Sequence, residues 1–216
     1  MTCQRLKLGF LASRNGTGMR AIVSAIEAGD LAAEARLLVS NRRDAPALEF
    51  AARHGVPTRV IPTLLDPVVA DKALAEALRA ADVELVVLSG YLRQLGPATL
   101  AAYENRILNV HPALLPRFGG PGMYGRRVHE AVAEAGERVS GATVHLVDAE
   151  YDQGPVIVSR QTRLAPGDDA AAIEAKVTAL EGDLLVDVLK RISNGALVLP
   201  RGPGGTASEA RPDNFR

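Results

Sequence analysis

Asn109 and His111 stand two residues apart at the end of the apolar run Ile107 to Val110, immediately before Pro112. Side chains alternate faces along a strand, so both are aimed into one space. An amide can donate to a developing oxyanion, and an imidazole titrates near neutrality and can move a proton. Downstream, the stretch from Gly141 to Val147 carries Thr143 and His145, and Tyr151-Asp152-Gln153-Gly154-Pro155 carries an acid. If the fold returns Asp152 to His111, the carboxylate can favour the imidazolium or position a water. Each residue also has a plainer use: Asn109 as a strand-end cap, Asp152 as part of a β-turn. Whether His145 faces the site or the core stays open. His54 and His129 fall in helical patterns and are expected at the surface or packed against loops. No His, Asp or Glu set has metal-ligand spacing, and no metal is expected.

A second candidate lies near the start of the chain. Ser13-Arg14-Asn15-Gly16-Thr17-Gly18 separates an apolar run from a helical pattern. Such a turn presents backbone N–H groups to an anion at a helix N-terminus. It matches neither dinucleotide nor P-loop spacing, and the P-loop lysine is missing. On its own it is as compatible with simple turn chemistry as with phosphate binding.

The surrounding pattern supplies the elements that must position these groups. Strands are expected at Leu6 to Leu11, Arg36 to Val39, Val56 to Ile61, Val83 to Leu88 and Ile107 to Val110. Helices are expected after Gly16, over Ala47 to His54, over Asp66 to Ala80 and from Pro97. This alternation predicts a mostly parallel Rossmann-like sheet flanked by helices. The second half differs. Pro112 to Gly125 reads as a long loop, Arg126 to Ala135 as a helix, and Thr143 to Val147 and Pro155 to Arg163 as antiparallel strands. Asp168 is expected to cap a long helix with Ile173, Val177, Leu180, Leu184, Val188 and Ile192 on its buried stripe. Ala196 to Leu199 is a candidate edge strand, and residues 201–216 are expected to be a disordered tail.

Lys plus Arg and Asp plus Glu balance at 25 each, which argues against a nucleic-acid or membrane-surface binder. Cys3 is the only cysteine, so no intrachain disulfide can form. No long apolar leader opens the chain, and the expected setting is the reducing cytoplasm.

The run Asn109-Val110-His111-Pro112-Ala113-Leu114-Leu115-Pro116, with Asp152-Gln153-Gly154-Pro155 downstream, resembles the folate-dependent formyltransferases. The resemblance covers about residues 5–200. It implies one formyltransferase domain over 1–200, with a ribonucleotide-binding half over 1–105 and a catalytic, folate-binding half over 106–200. The Ser-x-Asn-Gly-Thr turn favours members that move a formyl group from 10-formyltetrahydrofolate to the amine of glycinamide ribonucleotide. On that resemblance Asn109, His111 and Asp152 match the catalytic trio, and Thr143 and His145 match positions beside it. Asn15, Gly16, Thr17 and Gly18 match the turn that holds the substrate phosphate, and Glu181 a carboxylate on its sugar. Leu92, Arg93, Gln94 and Leu95, with Val147, Asp148, Glu150 and Tyr151, match the two walls of the folate pocket. The implied partners are small molecules, with the chain a monomer or homodimer. Gly18 replaces the family's usual Asn, Pro67 stands where an Arg holds the folate tail, and the loop after Pro116 is long. The rivals are other formyl-handling enzymes of this fold, acting on methionyl-tRNA, a sugar nucleotide or formyltetrahydrofolate itself, and a non-catalytic nucleotide-binding domain. The tRNA enzyme is set aside on the expectation that it carries a further basic C-terminal domain.

Overall fold

A computed structural model describes residues 5–63 and 66–200. The strands are β1 (Leu6–Leu11), β2 (Ala33–Ser40), β3 (Thr58–Val60), β4 (Leu85–Leu88), β5 (Ile107–His111), β6 (Val139–Leu146) and β7 (Val156–Arg163). The helices are α1 (Thr17–Glu27), α2 (Pro46–Arg53), α3 (Pro67–Ala80), α4 (Pro97–Ala102), α5 (Arg126–Glu134) and α6 (Ala170–Ser193). The strands form one sheet in the order β3-β2-β1-β4-β5-β6-β7. β1 to β5 pair in parallel, whereas β6 runs antiparallel to both β5 and β7.

Parallel strands covered on both faces are apolar throughout, because neither face reaches water. β4 shows this, with all four residues buried. Its alternate residues feed different cores. Leu85 and Val87 pack with Leu8 and Phe10 toward α1 and α6. Val86 and Leu88 pack with Leu11, Leu74 and Leu78 toward α3 and α4. The strand order reverses between β1 and β4, and in such sheets ligands bind at the carboxyl ends of the strands around that reversal. The Gly16 turn follows β1 and the Gly90–Leu95 segment follows β4 at this end.

Three expectations are corrected. Ala196 to Leu199 forms no strand and runs irregularly after α6. Gly195 at φ +76° ends the helix there, and Leu197 N–H donates to the Arg191 carbonyl instead of a strand. The cap of α6 is Asp169, whose carboxylate accepts from Ala172 N–H, while Asp168 accepts from Ala165 N–H and pairs with Lys176. The buried stripe of α6 runs through Ile173, Val177, Leu184, Leu185, Val188 and Leu189, with Leu180 and Ile192 only partly covered. The helix is wedged between α1, α5 and β6, so it buries a wider face than a single-sided stripe needs. The tail over 201–216 lies outside the described residues.

Candidate active site

His111 ends β5 and is 3% exposed. Its Nε2 lies 2.7 Å from the Phe118 carbonyl, which can only accept, so Nε2 carries hydrogen. Its Nδ1 faces Asp152 Oδ2 at 3.4 Å. Phe118 and Asp152 both have φ of +57°, a left-handed conformation uncommon for residues with a side chain. Backbone strain of this kind persists where surrounding contacts over-determine it. Asp152 also accepts from Gly120 N–H at 3.0 Å, which ties the 112–125 loop to the 148–155 turn. A Cβ on Gly119 would lie 2.5 Å from Leu115 Cδ2 and 3.2 Å from that of Asp152, so glycine permits this approach.

His145 faces the site, which settles the orientation the sequence left open. It pairs with Asn109 across β5 and β6, as Thr143 pairs with His111. His145 Nδ1 donates to the Leu146 carbonyl at 2.8 Å. Its Nε2 lies 3.1 Å from Asn109 Nδ2, so in the neutral tautomer it accepts one amide hydrogen and fixes the rotation of Asn109. Asp152 Oδ1 is 3.6 Å from the same nitrogen, beyond hydrogen-bond range. The Thr143 hydroxyl donates to the Ala113 carbonyl and accepts from Leu115 N–H. Thr143 therefore anchors the turn after His111.

Burial pushes the His111 pKa below its ordinary value, and Asp152 and the Phe118 carbonyl pull it only part of the way back. Asp152 thus favours the imidazolium as expected, but desolvation wins and the resting imidazole is neutral at pH 7. For Asp152, burial alone would raise the carboxyl. His145, His111 and the Gly120 N–H outweigh it and leave the group below the usual carboxylate range.

The Gly16 turn contributes backbone. Gly16, at φ +63°, precedes α1 and has no side chain with which to cap that helix. Asn15 and Thr17 are exposed. Met19 N–H is taken by Ser89 Oγ at 2.9 Å. A Cβ on Gly18 would stand 2.7 Å from Leu185 Cδ1 and 3.3 Å from Ser89 Oγ. The space an asparagine would use there is filled from α6 and the end of β4. A Cβ on Gly182 would likewise meet that of Ala21 at 2.8 Å, so α1 and α6 lie close and antiparallel. Glu181 flanks this contact, and burial first, then Glu174, raises its pKa to about 7.

Two further segments meet beside Asp152. Gln94 donates from Nε2 to the Ala149 carbonyl at 2.9 Å, joining the 91–95 and 147–152 segments. Leu92 and Tyr151 expose much of their side chains, Arg93 and Glu150 are exposed, and Asp148 accepts from Glu150 N–H. Val147 N–H donates to the Ile107 carbonyl. Leu95 points into the core under α3 and α4, so only its backbone can face a ligand.

His129 corrects another expectation. It is 2% exposed, and its Nδ1 has no hydrogen-bond partner among the described residues. The helical pattern of α5 gave no sign that its buried stripe would include an imidazole, because the burial comes from α6, far along the chain. His54 is a surface residue, paired with Glu27 and stacked on Phe50. No helix among the described residues is long and apolar enough to cross a membrane.

Comparison with known proteins gives a consistent result. The formyl transferase family model matches residues 6–189. The chain is 34% identical over 200 residues to the chloroplastic phosphoribosylglycinamide formyltransferase of Vigna unguiculata, covering 92% of this chain and 64% of that one. It therefore spans less than two thirds of that relative. It is 34% identical to the Bacillus subtilis phosphoribosylglycinamide formyltransferase, covering 86% of this chain and 94% of the other. The Coxiella burnetii phosphoribosylglycinamide formyltransferase, solved with CHES, superposes with a TM-score of 0.84 at 34% identity, covering 92% of each chain. The chain belongs to the formyl transferase family.

Proposed function

We propose that the protein transfers the formyl group of 10-formyltetrahydrofolate to the amine of glycinamide ribonucleotide, a step of purine biosynthesis. The observation that carries this reading is the arrangement of β5. His111 is fixed between the Phe118 carbonyl and Asp152, and Asn109 beside it is oriented by His145. The names of the relatives support the choice of substrates.

In this reading the surface formed by the 91–95 and 147–152 segments receives a flat heteroaromatic ring. It offers apolar surface from Leu92, Val147 and Tyr151, and loop backbone groups for the ring's amide-like edge. The Gly16 turn offers the positive end of α1 to a phosphate. In this reading Glu181, next to the Gly182–Ala21 contact of α6 with α1, accepts from sugar hydroxyls.

The chemistry needs an oxyanion partner and a proton carrier. Attack of the amine on the formyl carbon puts negative charge on the formyl oxygen. Asn109 keeps one amide hydrogen free of His145 and donates it to that oxygen. A donor of this kind is worth about 3 kcal/mol in the transition state. Neutral His111 has its Nδ1 lone pair on the Asp152 side. It takes the proton that the attacking nitrogen must lose, and Asp152 stabilises the imidazolium so formed. His111 then gives that proton to the departing folate nitrogen. The proton only changes nitrogen, so the cycle leaves the enzyme as it began. This sequence uses a resting imidazole that is neutral, as burial makes it.

Formyl transfer assayed with the purified protein and both substrates tests the reading. Turnover that disappears in His111→Ala while the melting temperature holds supports it. Absence of transfer by the wild-type protein, or an amine acceptor of another class preferred over glycinamide ribonucleotide, contradicts it.

A further inference from the structure

The Phe118 carbonyl, 2.7 Å from His111 Nε2, keeps the ring hydrogen on that nitrogen. Asp152 pulls the other way. Its Oδ2 lies 3.4 Å from Nδ1, and a carboxylate accepts a hydrogen more strongly than a neutral carbonyl does. Were Phe118 to withdraw, the hydrogen would move to Nδ1, and the lone pair on the Asp152 side would be lost. The position of one backbone carbonyl thus selects the tautomer of the proton carrier.

That carbonyl belongs to a segment that packing alone holds loosely. Phe118 stands at φ +57°, a conformation that persists only where contacts enforce it. Its ring is only partly buried against the main core. A cavity of about 300 Å³ opens beside it, lined also by Leu114, Val139 and Ser140. Two ties bracket the residue. After it, Gly120 N–H donates to Asp152. Before it, Arg117 pairs with Glu137 and lays its guanidinium over the Phe118 ring, 4.9 Å from the centroid. The tie at Gly120 is made by Asp152 itself, so it follows that carboxylate. The tie at Arg117 reaches the scaffold. Glu137 lies just past α5, its N–H donates to the carbonyl of Val132, and β6 begins two residues later at Val139. Its side chain is 22% exposed against 63% for Arg117, so the acid is the fixed partner.

We propose that the Arg117–Glu137 pair is a positioning device for the reaction: through Phe118 it keeps the His111 hydrogen on Nε2 and the Nδ1 lone pair available to the substrate amine. Both are positioning residues, since they act through the Phe118 carbonyl. An exposed pair of this kind contributes little to stability, and its effect here is on where that carbonyl stands. The inference rests on the reading that His111 carries the proton in formyl transfer.

Two measurements on the full chain test the pair. In long-range nitrogen–proton spectra recorded above the histidine titration, wild type holds the His111 hydrogen on Nε2, whereas Glu137→Ala divides it between Nε2 and Nδ1. In steady-state formyl transfer, Glu137→Ala and Arg117→Ala each lower kcat by roughly three- to fivefold, the range an exposed pair supports, with KM for the ribonucleotide unchanged. Arg117→Lys, which keeps the charge, recovers most of the kcat lost in Arg117→Ala. The double alanine variant loses no more than either single one. A His111 hydrogen still wholly on Nε2 in Glu137→Ala overturns the proposal, whatever the kcat. So does a loss carried by KM alone. A wild-type protein that transfers no formyl group contradicts the functional reading instead, and the nitrogen spectra then decide the pair by themselves.

Discussion

The two ends of the site are built by different means. At the Gly16 end, proposed above to hold the phosphate, the groups on offer are backbone N–H groups, brought forward by a left-handed glycine and by close packing of α1 on α6. At the His111 end they are side chains, each locked by a second group: His111 by Phe118 and Asp152, Asn109 by His145, and the turn after β5 by Thr143. A backbone site tolerates a changed side chain, provided the chain path survives. A side-chain site does not, because a small misplacement of the reacting groups costs orders of magnitude in rate. The chain bears this out in its composition. Leu185 fills the space beside Gly18, where the resemblance implies an Asn, whereas Asn109, His111 and Asp152 match the trio that the resemblance implies.

Substitutions at the two ends should therefore differ greatly in size. His111→Ala is expected to lower kcat by roughly 10²–10⁴-fold with little change in KM for the ribonucleotide, read by steady-state kinetics. Asn109→Ala should cost roughly 10²–10³-fold in kcat. His145→Phe, which frees the Asn109 amide to rotate and withdraws one of the groups that hold the Asp152 carboxyl low, should cost less, and combining it with Asn109→Ala should add little further loss. Additive losses in that double variant would show that His145 acts independently of Asn109.

At the other end, Gly18→Asn should leave kcat within a few-fold. The new Cβ meets Leu185, so overpacking should destabilise the protein by about 1–3 kcal/mol. Leu185→Ala in the same chain should recover part of that loss in thermal melting. A large fall in kcat from Gly18→Asn alone would erase the contrast between the two ends.

The smallest effect concerns stability and pH. The folded pKa of Glu181 is raised above its unfolded value, to about 7. Its stabilising contribution is thus complete below the unfolded value near 4.5 and is lost as pH rises through 7. Glu181→Gln should raise the melting temperature at pH 8 relative to wild type and change it less at pH 5. The opposite ordering would mean that Glu181 has a partner that favours its charge.

Much of this was legible in the sequence because the signals were local. Apolar runs ending in Gly or Pro located the strands, and Asn109-x-His111 announced a shared face by strand alternation alone. The missing parts depend on contacts between distant segments. His145 could not be oriented until β6 was registered against β5. His129 became buried only when α6 covered α5. The neutral state of His111 reflects how much of the ring is desolvated, which no spacing encodes; nearness to Asp152 alone predicts the other direction. The cap of α6 moved by one residue because Asp168 and Asp169 can both accept from a helix start, and the Lys176 pair draws Asp168 away. Ala196 to Leu199 looked like a strand for its apolar character, but α6 ends too close before it to let it reach a sheet edge.

The central claim is that neutral His111 carries a proton while Asp152 stabilises its charged form. Single-turnover formyl transfer measured from pH 5 to 9 in wild type and Asp152→Asn tests this most directly. In wild type the rate should rise with pH through a single limb lying below the ordinary histidine value, then level. Asp152→Asn should displace that limb to lower pH, because the carboxylate was raising the imidazole. It should also lower the plateau by roughly 10²-fold or more. An unshifted limb with a wild-type plateau, in a variant that melts normally, would contradict the account.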